Sequence, residues 1–418
     1  MLIVYRILIN IVFIFSPLII IYRLLKKKED FKRFKEKLCL FSKNRGNGKI
    51  IWFHGASVGE IKSIIPILEK LEKNKKIDKI LITSNTLSSS KIIHQIKLKK
   101  IVHQFFPIDT NFLSKKFINY WRPSCVFFID SEIWPNTFIN LEKKGIPINL
   151  INGRITKKTF LNWNKFPNFA KTFFSKFNLC LSSSKESKRF LIKLGAKKVK
   201  FLGNLKFSET EIKDYETNNV LKRYFSSKKI WCASSTHQNE EVFCGKIHLE
   251  LKKKYKNLIT IIIPRHIERI NSIISELSKY NLKIKTYGIK EKKIHPNTDI
   301  LIVNAYGKTK TFYNYCKIVF LGGSLIKHGG QNPLEAARFG CNILHGPHVS
   351  NFNEIYKFLK INNVSKQVTN SQSMLLSLDK LFLKKDNTKK IEKKLKIVGK
   401  KILENTYQQI NILLKNEI

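Results

Sequence analysis

A glutamate follows a loop of small residues in the sequence WFHGASVGE, which runs from Trp52 to Glu60. The pattern predicts a strand that ends at His54 and a helix that begins near Val58, so Glu60 falls in the first helical turn. A carboxylate there can complement the helix dipole, which is worth about 0.3–1 kcal/mol. It can also act as a general base, because small residues leave room for a substrate to reach it. The small residues are Gly55, Ala56, Ser57 and Gly59.

Two further acids follow a second apolar run, in the sequence IDSEIWPN from Ile129 to Asn136. Asp130 and Glu132 are one residue apart, which is the spacing of a DxD-type metal site for a sugar diphosphate. No third carboxylate or histidine lies nearby in sequence, and a metal-free catalytic or substrate-binding role is the main alternative. A third interpretation is that one acid caps the helix predicted to enter at Trp134-Pro135.

Two cations end predicted strands in the same way. Lys206, in GNLKF, is the only cation of an otherwise neutral turn and can stabilise a carboxylate or a leaving phosphate. Pro264-Arg265 closes the apolar strand IIIPRH, where an arginine can hold a phosphate with two hydrogen bonds. The structural alternative for Arg265 is bonding to loop carbonyls.

A buried strand predicted from Lys317 to Leu321 runs into the stretch GGSLIKHGGQNPLEAARFG, from Gly322 to Gly340, which predicts a glycine-rich loop and a helix opening at Asn332-Pro333. Glycines let the backbone approach a ligand, and proline in the first turn leaves neighbouring amides free to bind an anion such as phosphate. Glu335, one turn into the helix, is placed to accept from ribose hydroxyls. The stretch is therefore typical of a nucleotide-sugar donor site, although a loop that merely turns tightly has the same composition.

Strand-length apolar runs alternate with helical patterns, which predicts an α/β protein with parallel sheets. Strands are predicted at Ile50–His54, Ile80–Thr83, Cys125–Ile129, Pro147–Ile151, Leu179–Ser182, Val199–Leu202, Ile230–Ala233, Leu258–Ile263, Ile300–Val303, Ile318–Leu321 and Asn342–His345. Helices are predicted at Glu60–Lys73, Lys185–Leu194, Leu375–Leu383 and Ile391–Leu414. The pattern runs twice, so two doubly wound domains with a ligand cleft between them are expected.

The domain boundaries follow from length and composition. A chain of 418 residues exceeds one ordinary core, and a polar segment poor in large aliphatics separates the two halves. We expect a membrane anchor at 1–28, an amino-terminal domain at 29–207, a linker at 208–227 and a carboxyl-terminal domain at 228–418. The last helix is expected to return to the amino-terminal domain.

Charge and cysteine content restrict the class of protein. The net charge of +48 draws the surface to polyanions such as nucleic acid, anionic lipid or phosphorylated glycolipid. No aromatic-basic nucleic-acid motif accompanies the charge, so no nucleic acid partner is expected. The seven cysteines form no CxxC pair, which favours reduced core residues without a zinc site or a disulfide framework.

The amino terminus reads as a membrane segment. Ile7 to Tyr22 carries no charge, lies between Arg6 and Arg23, and spans about 24 Å as a helix. A cleaved signal peptide is disfavoured, because lysines and no small-residue cleavage site follow the apolar run. The basic excess between Lys26 and Lys37 favours a cytoplasmic location for the rest of the chain. An uncleaved anchor or a deep interfacial helix is therefore expected.

Taken together, these motifs resemble those of the 3-deoxy-D-manno-octulosonic acid (Kdo) transferases of the bacterial inner membrane. The likeness covers the anchor, WFHGASVGE, DSEIWPN, GNLKF, PRH, GGSL and GGQNPLEAA, in that order. It implies a GT-B fold with two facing Rossmann-like domains, and a glycosyltransferase that needs no cofactor. The implied donor is CMP-Kdo and the implied acceptor is the tetraacylated disaccharide precursor of lipid A (lipid IVA). The implied reaction is a metal-independent, inverting single displacement.

The resemblance also assigns residue roles. Glu60 matches the general base, Asp130 and Lys206 match positions that support the transition state, and Ser57 and Gly59 fall on the acceptor side. The residues that it places on the donor side are Pro264, Arg265, Gly307, Lys308, Gly322, Gly323, Ser324, Gly330, Asn332, Pro333, Leu334 and Glu335. Asp130 stands where a glutamate is usual, so Glu132 is the alternative carrier of its role. In NAYGKT, Lys308 stands where an acid is usual, which leaves the backbone at Gly307 as the expected contact.

Two other functions compete with this interpretation. One is a membrane-associated GT-B glycosyltransferase that uses a UDP-sugar. The other is a membrane-tethered basic protein that binds anionic polymers or lipids without catalysis. Only an enzyme requires one particular acid, such as Glu60, in a loop of small residues.

Overall fold

The computed structural model of the chain describes residues 1–209, 218–289, 291 and 294–417, with side chains as far as residue 415. It forms two compact units. Unit 1 comprises Met1–Thr210 and Val398–Ile418, and unit 2 comprises Glu211–Ile397. Within the predicted linker, residues 210–217 lie outside the described residues, and a helix covers Asn219–Ser226.

Unit 1 is built from a seven-stranded sheet and surrounding helices. Its strands are β1 (Ile50–His54), β2 (Lys79–Ser84), β3 (Ile101–Phe105), β4 (Cys125–Ile129), β5 (Ile148–Gly153), β6 (Phe177–Ser182) and β7 (Val199–Phe201). Its helices are α1 (Leu2–Leu25), α2 (Val58–Glu72), α3 (Leu87–Gln95), α4 (Asn111–Trp121), α5 (Pro135–Lys143), α6 (Lys157–Asn164), α7 (Pro167–Phe174) and α8 (Lys185–Lys193). The 3₁₀ turns are Phe34–Leu38 and Leu205–Ser208.

The sheet of unit 1 is parallel throughout, in the order β3-β2-β1-β4-β5-β6-β7. The central strands β1 and β4 are buried along their whole length, as apolar and β-branched strands are when helices cover both faces of a sheet. The strand order reverses between β1 and β4. In open parallel sheets ligands bind at such a reversal, outside the carboxyl ends of the strands.

Unit 2 repeats the plan. Its strands are β8 (Lys229–Thr236), β9 (Leu258–Pro264), β10 (Ile284–Tyr287), β11 (Ile300–Val303), β12 (Ile318–Leu321), β13 (Asn342–His345) and β14 (Ser365–Gln367). Its helices are α9 (Asn219–Ser226), α10 (Glu240–Lys254), α11 (Ile270–Ser278), α12 (Thr309–Tyr313), α13 (Leu334–Arg338), α14 (Asn353–Ile361) and α15 (Ser371–Leu383). The parallel order is β10-β11-β9-β8-β12-β13-β14, which reverses between β8 and β12.

A final helix, α16 (Thr388–Glu417), contributes its first residues to unit 2 and its later residues to unit 1. In unit 1 it packs against the segment that ends the sheet. A Cβ placed on Gly203 would lie 2.8 Å from Ile402 Cδ1, and Lys70 Nζ lies 2.8 Å from Glu404 Oε1. A Cβ placed on Gly399 would meet the carbonyl group of Phe207, so the middle of α16 packs against the turn Leu205–Ser208.

The predicted strands are all confirmed, with bounds that agree within three residues. Three strands were not predicted: β3, β10 and β14. The helix expected at Asn332-Pro333 begins at Leu334 and has only five residues, with Pro333 as its N-cap. Helix α1 is long and apolar enough to cross a membrane, as expected for an anchor.

Candidate active site

The reversal of strand order in unit 1 brings two of the predicted motifs together. Glu60 follows β1, and Asp130 and Glu132 follow β4, which is hydrogen-bonded to β1. Carboxyl ends of parallel strands share one edge, so Glu60 and Asp130 lie near one another although 70 residues separate them in sequence. The charges of Asp130 and Glu132 both raise the pKa of Glu60.

Glu60 folds back onto its own loop. Ser57 is the N-cap of α2, and its hydroxyl donates to Glu60 Oε1 at 2.7 Å. The backbone amide of Ala56 donates to Glu60 Oε2 at 2.7 Å. Burial raises the pKa of Glu60 to about 7, and the neighbouring carboxylates add to the shift while the two hydrogen bonds oppose it. The carboxylate is thus fixed in direction and able to accept a proton near neutral pH.

Asp130 is held by the next strand of the sheet. Its backbone has a φ of 61°, and its Oδ1 accepts from Asn152 Nδ2 at 2.6 Å. Asn152 Oδ1 in turn accepts from the amide of Leu205 at 2.9 Å, which fixes the turn that carries Lys206. Lys206 Nζ lies 3.7 Å from Asp130 Oδ2. A Cβ placed on Gly59 would lie 4.0 Å from Lys206 Nζ, so this ammonium also lies beside the start of α2.

Glu132 belongs to a different network. The indole N–H of Trp134 lies 3.0 Å from Glu132 Oε2 and 3.1 Å from His54 Nε2, so it donates to both acceptors. His54 Nδ1 lies 2.8 Å from Thr83 Oγ1. Burial lowers the pKa of His54, so the ring is neutral and Nε2 can accept from Trp134. Glu132 is therefore oriented through Trp134 and the buried His54 and Thr83, by contacts that sequence reasoning did not identify.

Neither acid of the DSE motif caps α5. Its N-cap is Trp134, which makes no side-chain capping bond. Instead Asp109, which is fully buried, accepts from the amides of Asn136 at 3.0 Å and Thr137 at 2.9 Å. The interpretation of Asp130 or Glu132 as a helix cap is wrong, and both carboxylates are directed to the contacts described above.

The reversal in unit 2 holds the glycine-rich loop, but a carboxylate already binds several of its amides. Glu240 Oε2 accepts from the amides of His237 at 3.0 Å and Gly323 at 2.7 Å. Glu240 Oε1 accepts from the amides of Ser324 at 3.2 Å and Leu325 at 3.1 Å. The amide of Gly322 donates to the carbonyl of Ser234 within the sheet. These amides are therefore occupied by the protein itself.

Glycine at position 323 is required by two imidazole rings. Its φ is 64°, and a Cβ there would lie 3.1 Å from His237 Cδ2 and 3.3 Å from His328 Cδ2. The centroids of these two rings are 4.2 Å apart, and His266 lies 6.0 Å from His237. Burial, together with His328, His266 and Arg265, lowers the pKa of His237 to about 4. His237 follows β8 at the strand reversal, and the sequence analysis missed it.

The other donor-side residues lie on neighbouring strands of unit 2. Pro264 ends β9, and the exposed Arg265 donates its amide to the carbonyl of Thr236 at the end of β8. Gly307, with a φ of 81°, and Lys308 follow β11. Gly330, with a φ of 74°, donates its amide to the carbonyl of Gly323 and so closes the loop.

The segment Asn332–Glu335 enters α13. Asn332 Oδ1 accepts from the amide of Leu334 at 3.1 Å, and Leu334 is buried while Glu335 is partly exposed. A helix of five residues sums few peptide dipoles, so the anion attraction expected from the helix dipole is weak here. All these residues lie at the edge formed by the carboxyl ends of β9, β11 and β12.

Comparison with known proteins gives a consistent result. A sequence model of the family described as 3-deoxy-D-manno-octulosonic-acid transferase (kdotransferase) matches residues 32–209. The chain is 33% identical to the 3-deoxy-D-manno-octulosonic acid transferase of Rickettsia bellii over 94% of both chains. It is 30% identical to the protein of the same name from Haemophilus influenzae, over 74% of this chain and 73% of the relative.

Solved structures support the fold alone. The chain is similar to UDP-GlcNAc 2-epimerase from Neisseria meningitidis bound to UDP-GlcNAc, with a TM-score of 0.59 and 16% identity. The similarity covers 88% of this chain and all of the epimerase. Two parallel, doubly wound units of the GT-B type with an apolar amino-terminal helix are thereby confirmed.

Proposed function

The chain belongs to the 3-deoxy-D-manno-octulosonic acid transferase family and is a glycosyltransferase, and we propose that it transfers Kdo from CMP-Kdo to lipid IVA. The proposed reaction is an inverting single displacement without a metal ion. Family membership supports the transfer of Kdo. The acceptor, the mechanism and the residue roles are proposals that depend on the geometry of each unit.

One observation carries the mechanism: Glu60 is a half-buried carboxylate whose pKa is raised to about 7 at the strand reversal of unit 1. A general base is most effective when its pKa lies near the working pH. The hydroxyl of Ser57 and the amide of Ala56 each donate to one oxygen of Glu60, so the orientation of the carboxylate is fixed. Ser57 and Gly59 then line the approach of the acceptor.

In the proposed step, Glu60 removes the proton of an acceptor hydroxyl as that oxygen attacks the anomeric carbon of Kdo. The bond from this carbon to the phosphate oxygen breaks, and CMP leaves with the bonding electrons. One displacement inverts the anomeric configuration. Glu60 ends protonated and returns its proton to solvent.

We propose different roles for the carboxylates of Asp130 and Glu132. Asp130 Oδ2 lies 3.7 Å from Lys206 Nζ. We propose that this pair stabilises the charge that develops in the transition state, with the ammonium of Lys206 as the electrostatic contact. Glu132, oriented by Trp134, is the acid assigned to a hydroxyl of the acceptor. The same arrangement argues against a DxD metal site, since an ammonium group already lies beside Asp130 and Trp134 donates to Glu132.

For the donor we propose contacts in unit 2. Arg265 is assigned to the phosphate, the backbone at Gly307 and Lys308 to the nucleotide, and Asn332, Pro333, Leu334 and Glu335 to the cytidylate. Because Glu240 occupies the amides of Gly323 and Ser324, we assign these residues, with Pro264, Gly322 and Gly330, to the shape of the loop. The imidazoles of His237 and His328 lie beside this loop, and because its lowered pKa keeps His237 neutral, we assign its ring to hydrogen bonding and not to charge.

Membrane lipids are the remaining proposed partners. The acceptor is a phosphorylated glycolipid, and the chain has an apolar amino-terminal helix followed by Lys26, Lys27 and Lys28. We therefore propose that the protein acts at the cytoplasmic face of the inner membrane, where basic residues near the surface attract anionic lipids.

The proposal is tested with the purified full-length chain, lipid IVA in mixed micelles, and CMP-Kdo or UDP-sugars as donors. We expect glycosylated product with CMP-Kdo and none with the UDP-sugars, and we expect the rate with CMP-Kdo to be unchanged in excess EDTA. Mass analysis of the product reports how many Kdo units are added. Turnover with a UDP-sugar alone contradicts the donor assignment, whereas loss of Kdo transfer in EDTA contradicts the metal-free mechanism.

A further inference from the structure

Helix α1 contacts the rest of unit 1 near both of its ends. The buried and partly buried residues of α1 all fall on one side of the helix, with a gap of six exposed residues after Ile9. They are Leu2, Tyr5, Arg6, Ile9, Ser16, Ile20, Arg23 and Leu24. This spacing defines one face of a helix. The helix therefore contacts the unit near both ends and not only where the chain leaves it.

The amino-terminal end of α1 makes two specific hydrogen bonds. Tyr5 Oη donates to Asp109 Oδ2 at 2.7 Å, and Arg6 Nε donates to Asn136 Oδ1 at 2.9 Å. Asp109 and Asn136 are both fully buried within unit 1. Leu2 packs against the hydrophobic core of the same unit.

The carboxyl-terminal end is held separately. Arg23 Nε lies 2.6 Å from Glu29 Oε1, and the buried Glu29 also pairs with Lys37 Nζ at 2.6 Å. Lys37 Nζ donates in addition to the carbonyl of Asn85, next to β2. Both ends of α1 are thus tied to the same body.

This geometry is incompatible with a helix that crosses a bilayer. A helix of 24 residues is about 36 Å long, and the hydrocarbon core is about 30 Å thick. If α1 crossed it, Tyr5 and Arg6 would lie on the far side from Arg23, and the bonds to Asp109 and Asn136 would be broken.

The outer face of α1 is nevertheless apolar. Val4, Ile7, Ile11, Ile14, Leu18 and Ile21 are each between 44% and 70% exposed, and in the most apolar part of the helix only 11% of residues are buried. Removing such side chains from water is favourable by about 1.5–3 kcal/mol each. The lysines at 26–28 that follow complement anionic lipid head groups.

We infer that α1 lies in the plane of one leaflet, fastened to unit 1 near both ends, with its outer face covered by lipid acyl chains. The fastening also reaches the candidate active site. Asp109, which binds Tyr5, is the carboxylate that caps α5, and α5 is preceded by Trp134 and Glu132. A helix in the leaflet is thereby joined to the segment that carries a proposed acceptor contact. The inference about α1 does not depend on the proposed reaction.

Sidedness distinguishes the two arrangements. All seven native cysteines are buried, so a cysteine in a short hydrophilic tag before Met1 can be labelled selectively with a membrane-impermeant maleimide. Lys144→Cys, at an exposed position of unit 1, marks the side of the catalytic units. In sealed vesicles of either orientation, we expect both cysteines to be labelled from the same side. Labelling from opposite sides overturns the inference.

Depth in the bilayer gives an independent measurement. Val4, Ile11, Leu18 and Leu25 recur every seven residues on the exposed face, and each is replaced by cysteine and given a fluorophore. Quenching by lipids brominated at different depths is expected to give one shallow depth for all four positions. A profile that is deepest at Ile11 and Leu18 and shallow at both ends overturns the inference.

A matched pair of variants tests the fastening itself. Tyr5→Phe removes the hydroxyl that donates to Asp109, whereas Tyr22→Phe alters an exposed tyrosine of the same helix. In detergent, we expect Tyr5→Phe to lower the midpoint of thermal unfolding by about 2–4 °C and Tyr22→Phe to leave it unchanged. Equal midpoints contradict the fastening. None of these experiments measures Kdo transfer, so their failure leaves the proposed reaction standing.

Discussion

Glu60 and Glu240 lie in the first turn of a helix in units 1 and 2, and each carboxylate folds back onto nearby loops. Glu240 is 1% exposed and accepts from four backbone amides. Glu60 accepts from one amide and one hydroxyl, lies near two other carboxylates, and has its pKa raised to about 7. The same local arrangement therefore fixes a loop in unit 2 and holds the proposed base in unit 1. The number of donors distinguishes the two uses.

The largest expected effect separates the two glutamates by activity. Glu60→Gln removes the proposed base but keeps an oxygen that can accept from Ser57 or Ala56. We expect transfer to fall by about 10²–10⁴-fold, with CMP binding retained, measured by initial rates and by calorimetric titration. Near-normal turnover in this variant removes Glu60 from the mechanism and makes it a second structural carboxylate like Glu240.

The converse variant, Glu240→Gln, tests the structural half of the comparison. The amide side chain loses one acceptor oxygen and directs N–H groups at backbone amides that need a partner. We expect a loss of about 2–4 kcal/mol in the free energy of unfolding, measured by denaturant titration. Glu250→Gln, at a more exposed carboxylate of the same helix α10, is the control and is expected to change stability little. Equal stabilities would show that the four amide bonds matter little.

The raised pKa of Glu60 predicts that the stability of the wild-type chain, relative to Glu60→Gln, depends on pH. Its folded value of about 7 lies above the usual 4.5, so folding favours the protonated form. The wild-type chain therefore loses stability relative to Glu60→Gln as the pH rises from about 4.5 through 7. We compare the free energy of unfolding of Glu60→Gln with that of the wild type. We expect the difference, variant minus wild type, to be about 1–2 kcal/mol larger at pH 8 than at pH 4. Unfolding at several pH values measures it, and a pH-independent difference contradicts the raised pKa. Transfer should rise over the same pH range.

A smaller effect is expected at Trp134, whose indole N–H orients Glu132 in unit 1. Trp134→Phe removes the N–H that reaches Glu132 and His54, so Glu132 loses its orientation. We expect about tenfold slower transfer, with the change mainly in KM for the acceptor. Trp163→Phe, a partly buried tryptophan of the same unit, is the control for loss of an indole. If both variants behave alike, Trp134 serves packing alone.

The strands that position the site could be predicted because parallel strands buried on both faces read as continuous apolar runs. β1, β4, β11, β12 and β13 have the predicted bounds. β3 escaped prediction because buried polar residues interrupt it. Its His103 contacts Ser84 and Arg33, and these partners are distant in sequence. β14 is a three-residue edge strand whose last two residues are exposed, so it carries no apolar signal.

The residues of the candidate site could be proposed from the sequence, but the hydrogen bonds that hold them could not. Sequence identified Glu60, Asp130, Glu132 and Lys206, because each follows a strand within a distinctive motif. It did not identify Glu240 as the partner of the glycine-rich loop. Those amides were expected to bind a ligand, and nothing local shows that a carboxylate 83 residues away already accepts from them. Distant hydrogen bonds of this kind are visible only once the strands are assembled.

The contact of α16 with the turn that carries Lys206 has a consequence for synthesis. Amino-terminal parts of a chain emerge from the ribosome and begin to fold first. The sheet of unit 1 can then form long before residues 398–417 exist, whereas Gly203 has its packing partner only when Ile402 emerges. That turn lies beside Asp130, and its packing partner is a helix whose sequence follows unit 2. Unit 1 therefore reaches its final packing only after the whole of unit 2 has been synthesised.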